Sequence, residues 1–415
     1  MSNGEKKMTK RSRTFSRRTV LAGAAAGVGA IGFPSVLRAQ VPSVKIGVLH
    51  PVTGAVAYSG QQGRAGAVLA FEEINATGGI KSLRGAKIEP VLADAQSRPE
   101  VGAAEVDKLA EAGVAAIVGP FASGIALATT QAAARHNLAH VVDVGVVDQI
   151  VQRGLTNTFR FAPGFGKVTK SALDNLVAIN DFAGKPAKTV AIVHEDGAFG
   201  GGMAKLLNAE LPGRGFQVVE TIGHPTPHRD FTNIALKLRS VKPDIIIPSN
   251  YLNEFILMAR TFQQQRVSPK GIYAILGGGA SNIRFVKEHN AAAQLIMDTN
   301  HWFDPRKARS QAFQKKLAEK NIDLTYEVML NYSCALLIAD AIERAASTDR
   351  AKVIAALASS TFEDHIMPYG PTKFVNGQNE GAQPVNTQIR GDKIEVIFPR
   401  EFATAAPVFP NPSKG

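Results

Sequence analysis

The sequence predicts an α/β protein of two lobes, each built on a parallel sheet, joined by a hinge of three chain segments. Three observations carry this. Short apolar runs alternate with helical periods along most of the chain. The alternation runs from residue 44 to about 147, breaks, and restarts from 189 to about 275. Extended or broken stretches at 158–164, 297–305 and 364–371 then mark three passages between the two series. At 415 residues the chain also exceeds one ordinary core.

The first series places strands at 44–49, 87–93, 115–118 and 139–142, with helices over 63–75, 99–112 and 124–136. The second places strands at 189–194, 217–222, 244–247 and 272–275, with helices over 167–182, 200–211, 231–239 and 252–262. Strands covered on both faces read as unbroken apolar runs, as Ile245-Ile246-Ile247 does. Crossovers between parallel strands are expected to be right-handed. Two more helices, 306–321 and 326–346, follow the second passage. A strand pair, 388–390 and 393–398, joined by Gly391-Asp392, follows the third. The expected division is lobe one from 40–160 and 302–368, and lobe two from 161–301 and 369–402. The Pro- and Ala-rich tail, 403–415, is expected to fray.

An apolar content of 45% with 20% charged residues describes a globular chain. The net charge of +12 is unevenly placed. Residues 1–39 hold eight of the 47 Lys and Arg but one of the 35 acids, which leaves a net of +5 for the rest. No basic patch interleaved with aromatics occurs there, so no nucleic-acid partner is expected. The leader combines basic residues, an apolar run over 20–33 too short to span a bilayer, and a small residue, Ala39. Arg17-Arg18 within Ser16-Arg17-Arg18-Thr19-Val20-Leu21 resembles a twin-arginine export signal, with cleavage expected near Ala39. Cys334 is the single cysteine and sits in a helical apolar run, where a buried small residue is expected rather than a nucleophile.

Candidate chemistry begins where the first strand ends. Thr53-Gly54 and Tyr58-Ser59-Gly60 follow it, at the carboxyl end where open α/β sheets bind ligands. After the third strand, Gly119-Pro120-Phe121-Ala122-Ser123-Gly124 leads into a helix. Ser123 stands at the expected N-cap, and the open N–H groups of that helix start suit a carboxylate. His136 and His140 straddle a helix end and a strand start, and His224 and His228 lie in a loop without a Cys or acidic cluster. No metal and no cofactor is expected.

These segments, with the Phe71–Ser82 stretch, Arg153-Gly154, the His194-Glu195-Asp196 strand end and Pro227-His228-Arg229-Asp230-Phe231, resemble periplasmic solute-binding proteins of the branched-chain amino acid type. The resemblance spans about 41–398 and implies a type 1 periplasmic binding fold, a clamshell of two Rossmann-like lobes. It implies a non-enzymatic receptor that captures a small solute and presents it to an ABC permease, as a monomer in the periplasm. Ser123 and the backbone of Phe121, Ala122, Val144, Gly145 and Val146 would anchor a carboxylate or amide. Tyr58, Ser59, Phe199, Tyr251 and Gly278 would complete the site.

The chain departs from that family where the family holds the ligand ammonium. On the register set by Arg153-Gly154 the family's Thr falls on Val146; its lobe-two Glu position falls within Gly277-Gly278-Gly279, and its lobe-two Tyr, after the His194-Glu195-Asp196 strand end, is Phe199. Asp143, Asp148 and Glu254 are the nearest acids that could substitute. Burying an ammonium without its anion costs roughly 3–5 kcal/mol, or about two to four orders of magnitude in affinity. An aromatic- or aliphatic-bodied carboxylate or amide is therefore favoured over a free α-amino acid, with Phe121, Tyr58, Phe199, Tyr251 and Trp302 as candidate lining. A twin-arginine-exported enzyme and a receptor-coupled sensor are the rival readings.

Overall fold

The computed structural model describes Met1 and residues 41–412; the expected export signal and its cleavage point lie outside the described residues. In the first sheet, β1 (Val44–His50) pairs in parallel with both β2 (Ile88–Asp94) and β3 (Ala116–Val118). Next come β4 (Ala139–Val142) and β5 (Thr158–Arg160), also parallel. The second sheet repeats the plan with β6 (Thr189–Glu195), β7 (Gln217–His224), β8 (Ile245–Ser249), β9 (Gly271–Ile275) and β10 (Met297–Asn300). In each half the first strand lies between the second and third, which puts the reversal of strand order beside that first strand. Loops leaving adjacent strands there diverge to opposite faces and open a crevice.

Three helices connect the first sheet: α1 (Ala57–Ala76), α2 (Pro99–Glu111) and α3 (Ser123–Arg135). The chain then crosses to α4 (Phe165–Phe182), α5 (Ala198–Glu210), α6 (Thr232–Val241), α7 (Leu252–Gln264), α8 (Ile283–Glu288) and α9 (Asn290–Ala293). It returns after β10 as α10 (Ala308–Glu319), α11 (Tyr326–Ala345) and α12 (Arg350–Ala358), which complete lobe one. α1 lies so close to α11 that a Cβ on Gly66 would stand 2.3 Å from the Val328 carbonyl oxygen.

Three placements differ from the sequence reading. The short hairpin β11 (Phe374–Val375) and β12 (Gln378–Asn379) joins the first sheet beside β5. The third passage therefore falls after Asn379, later than 369. It ends in β13 (Val385–Arg390) and β14 (Lys393–Phe398), an antiparallel pair against β10. The tail does not fray through Asn411. Val408 exchanges two hydrogen bonds with the Gln388 side chain, and the Asn411 N–H donates to the Lys270 carbonyl at 2.7 Å. The third difference is the helices α8, α9 and α12, for which the sequence pattern predicts no element.

Candidate functional site

The loops leaving the carboxyl ends of the two sheets face one another across a cavity with about 350 Å³ of empty space, part of it open to solvent. Lobe one contributes Phe121, Ala122 and Ser123 after β3, Val144 and Val146 after β4, and Tyr326 at the start of α11. Lobe two contributes Phe199 after β6, Asn250 and Tyr251 after β8, Leu276 after β9 and Asn300 at the end of β10. The Tyr251 ring bridges the lobes, 5.9 Å from Phe121 and 5.4 Å from Phe199 between centroids. Among the described residues no charged side chain lines the cavity.

The β3–α3 loop is held from beneath. Gly119 approaches the Leu49 carbonyl so closely that a Cβ would lie 2.0 Å from its oxygen. Phe121 takes a left-handed conformation, φ +70°, unusual for a bulky residue. Its N–H donates to the Asp143 Oδ1 at 2.9 Å, which fixes that turn. The α3 N-cap is Ala122, not Ser123, and no side chain caps the helix. The first-turn N–H groups therefore keep the open, positive end of the helix dipole beside the cavity. Ser123 Oγ instead accepts the Val146 N–H at 3.2 Å, tying the β3 and β4 loops together and leaving its own proton to donate.

Lobe two is arranged differently. The corresponding α5 start is already filled by the Glu195 carboxylate, which accepts the N–H groups of Gly197 and Gly200. Burial raises the pKa of that carboxyl. An anion thus finds open backbone donors on α3 and a protein carboxylate on α5.

Of the residues singled out from sequence, Phe121, Ala122, Ser123, Val144, Val146, Phe199 and Tyr251 line the cavity. Tyr58, Ser59, Gly145 and Gly278 do not. The Tyr58 hydroxyl donates to Asp323 at 2.9 Å and its ring lies under the Arg284 guanidinium of α8, 4.9 Å away. With Lys287 3.9 Å from Asp323, Tyr58 forms a strut between the lobes. Ser59 is buried beside Glu327, whose carboxyl is pushed to about 7 by burial. Gly145 packs against Ile150, Ala126 and Val142; Gly278 lies behind Asn250, donating its N–H to that carbonyl. Trp302 packs on Phe303 in the lobe-one core.

None of the three candidate acids lines the cavity. Asp143 holds Phe121 and accepts from Asn331 Nδ2 at 2.7 Å. Asp148 pairs with the buried Arg160 at 3.1 Å and accepts the Gly166 N–H. Glu254 accepts the His228 N–H and lines a separate hollow at the mouth of the cleft. Behind Gly277 the buried Asp298 carboxyl, raised to about 7 by burial, is ringed by Gly277 N–H, Ser281 and Asn300 donors and does not line the cavity. Asn250, Leu276, Asn300 and Tyr326 escaped the sequence reading. Asn250 and Leu276 adjoin residues already singled out, so strand-end position could have found them; Tyr326 depends on where α11 meets the cleft.

A family model described as periplasmic binding protein matches residues 43–388. The Leu/Ile/Val-binding protein BraC3 of Rhizobium johnstonii is 29% identical over 329 residues, which cover 79% of this chain and 86% of the relative. The substrate-binding protein LivJ of Streptococcus pneumoniae, solved with isoleucine, superposes with a TM-score of 0.73 at 22% identity, over 86% of this chain and 100% of its own. A solute-binding protein of R. palustris, solved with benzoate, superposes with a TM-score of 0.74 at 20% identity, over 86% of this chain and 95% of its own. At such identities the solved structures speak for the fold: two α/β lobes of the type 1 kind. With the matched model spanning most of both lobes, the chain belongs to the periplasmic binding protein family.

Proposed function

We propose that the protein is the periplasmic substrate-binding component of an ABC importer of the branched-chain amino acid type. Its solute carries one carboxylate or amide on an apolar or aromatic body and is not a free α-amino acid. The observation that carries this is the cavity's asymmetry. Open helix N–H groups and the Ser123 hydroxyl stand at one end, apolar and aromatic rings surround the middle, and among the described residues no side-chain carboxylate lines any part of it. The relatives named above bind isoleucine in one case and benzoate in another; the lining here suits the second class. Contacts from both lobes favour the closed clamshell by the solute's extra affinity for that state, and the closed form meets a membrane permease. Export follows the twin-arginine route with cleavage near Ala39, and the mature protein is a monomer.

A thermal-shift screen across amino acids, aromatic acids, aliphatic acids and amides tests the proposal. Aromatic or aliphatic acids or their amides should give the largest stabilisation. Stabilisation confined to α-amino acids would refute it.

A further inference from the structure

We infer that the Asn250 carboxamide reads a hydrogen-bond donor on the captured solute, so that the cleft prefers a carboxylate whose body also carries a hydroxyl or uncharged amino group. This rests on the proposed capture of a carboxylate and deepens it.

The orientation of the amide follows from its neighbours. Burial lowers the His224 pKa, so its imidazole is neutral near pH 7 and carries one ring proton. Its Nδ1 lies 2.8 Å from the Pro225 carbonyl oxygen, which can only accept, so the proton sits on Nδ1. Nε2 is then a bare acceptor, and the atom of Asn250 at 3.0 Å from it must be the donating Nδ2. The same Nδ2 lies 3.6 Å from the Met258 sulfur, a second weak acceptor. Both amide protons thus point into lobe two, and Oδ1 is the polar atom left over.

That oxygen is buried without a hydrogen-bond partner among the described residues, on a residue with no exposed surface that lines the cavity. The other amide there, Asn300, is satisfied: its Oδ1 accepts the His301 N–H at 2.8 Å and its Nδ2 donates to Asp298 at 3.0 Å. Asn250 Oδ1 is therefore an unmet acceptor on a cavity-lining residue, opposite in character to the donors around Ser123. A buried acceptor left unpaired weakens a complex by roughly ten- to a hundredfold relative to one in which it is paired. A neutral amide oxygen suits a hydroxyl or an aromatic amine, and cannot replace the carboxylate an ammonium needs.

The test compares benzoate, 3-hydroxybenzoate, 4-hydroxybenzoate and benzyl alcohol by calorimetry on the mature protein and on Asn250→Leu. At least one hydroxybenzoate should bind about tenfold or more tightly than benzoate, and that ratio should fall to about one in the variant, whatever its own benzoate affinity. Benzoate matching or exceeding both hydroxybenzoates in the unsubstituted protein would overturn the inference while leaving carboxylate capture intact, as would an advantage that survives in Asn250→Leu. Benzyl alcohol binding that depends on Asn250, with no carboxylate bound, would sustain the donor reading and remove the carboxylate one. Binding of none of the four overturns both. Should Asn250→Leu fail to fold, the comparison on the unsubstituted protein decides alone.

Discussion

Asp143→Ala separates a carboxylate that shapes the site from one that touches the ligand. In the structure Asp143 has no exposed surface and its two oxygens accept from the Phe121 N–H at 2.9 Å and Asn331 Nδ2 at 2.7 Å. Alanine would strand both donors in a dry interior and free Phe121 from its left-handed turn. Each hydrogen bond to a charged group contributes about 1.5–3 kcal/mol, and breaking a buried charged network costs about 3–5 kcal/mol in total. At roughly 2–4 °C per kcal/mol for a lobe of this size, the ligand-free protein should melt about 6–20 °C lower. Asp143→Asn should lose about half as much, because it keeps an acceptor for Phe121 and can meet Asn331 if that amide rotates to offer its unpartnered oxygen. Circular dichroism melts of the ligand-free variants, followed by benzoate titration, make the measurement. An unchanged ligand-free melt, with affinity lost only for amine-bearing solutes, would refute the reasoning and make Asp143 the missing ammonium partner.

Ser123→Ala removes a donor to the solute and the acceptor of the Val146 N–H; benzoate affinity should fall about tenfold and ligand-free stability by about 1 kcal/mol, read by calorimetry and melting together. Tyr58→Ala removes the strut to Arg284 and Asp323 and should weaken binding about three- to tenfold through faster release, with a more open ligand-free form in small-angle scattering; a loss above a hundredfold that differs between solutes would put Tyr58 on the ligand. Glu327 is held neutral by burial, its pKa raised from 4.5 to about 7. A raised acid favours the folded state fully below pH 4.5 and loses that advantage as pH climbs to about 7, so wild-type stability should fall across that window. Glu327→Gln should flatten the fall and melt higher than the wild type at pH 8, by an amount on the order of 3 kcal/mol at most, with little difference at pH 4.5.

The architecture was legible because burial on both faces leaves a parallel strand few polar positions: Ile245, Ile246 and Ile247 are fully buried and read so in the sequence. The short elements were not. β11 and β12 have two residues each, too few for a period, and are strands only because β5 offers an edge. The tail is ordered by Gln388 and Lys270, partners distant in sequence. Within the site, strand-end loops pointed to seven cavity residues. Only the capping role expected of Ser123 fails, since a Ser at the start of a helix signals a cap, whereas its partner is Val146 on a neighbouring loop. Tyr58 follows the same pattern: its place in the first loop suggests a ligand contact, but Arg284 and Asp323, which draw it to the rim, come from much later in the chain.

The most direct measurement is a calorimetric titration of the mature protein with benzoate and with leucine under identical conditions. A cavity with open donors for one carboxylate and no anion for an ammonium should bind benzoate and take leucine roughly a hundredfold or more weakly. Leucine binding as tightly as benzoate, or more tightly, would contradict it and require a carboxylate to turn into the cleft.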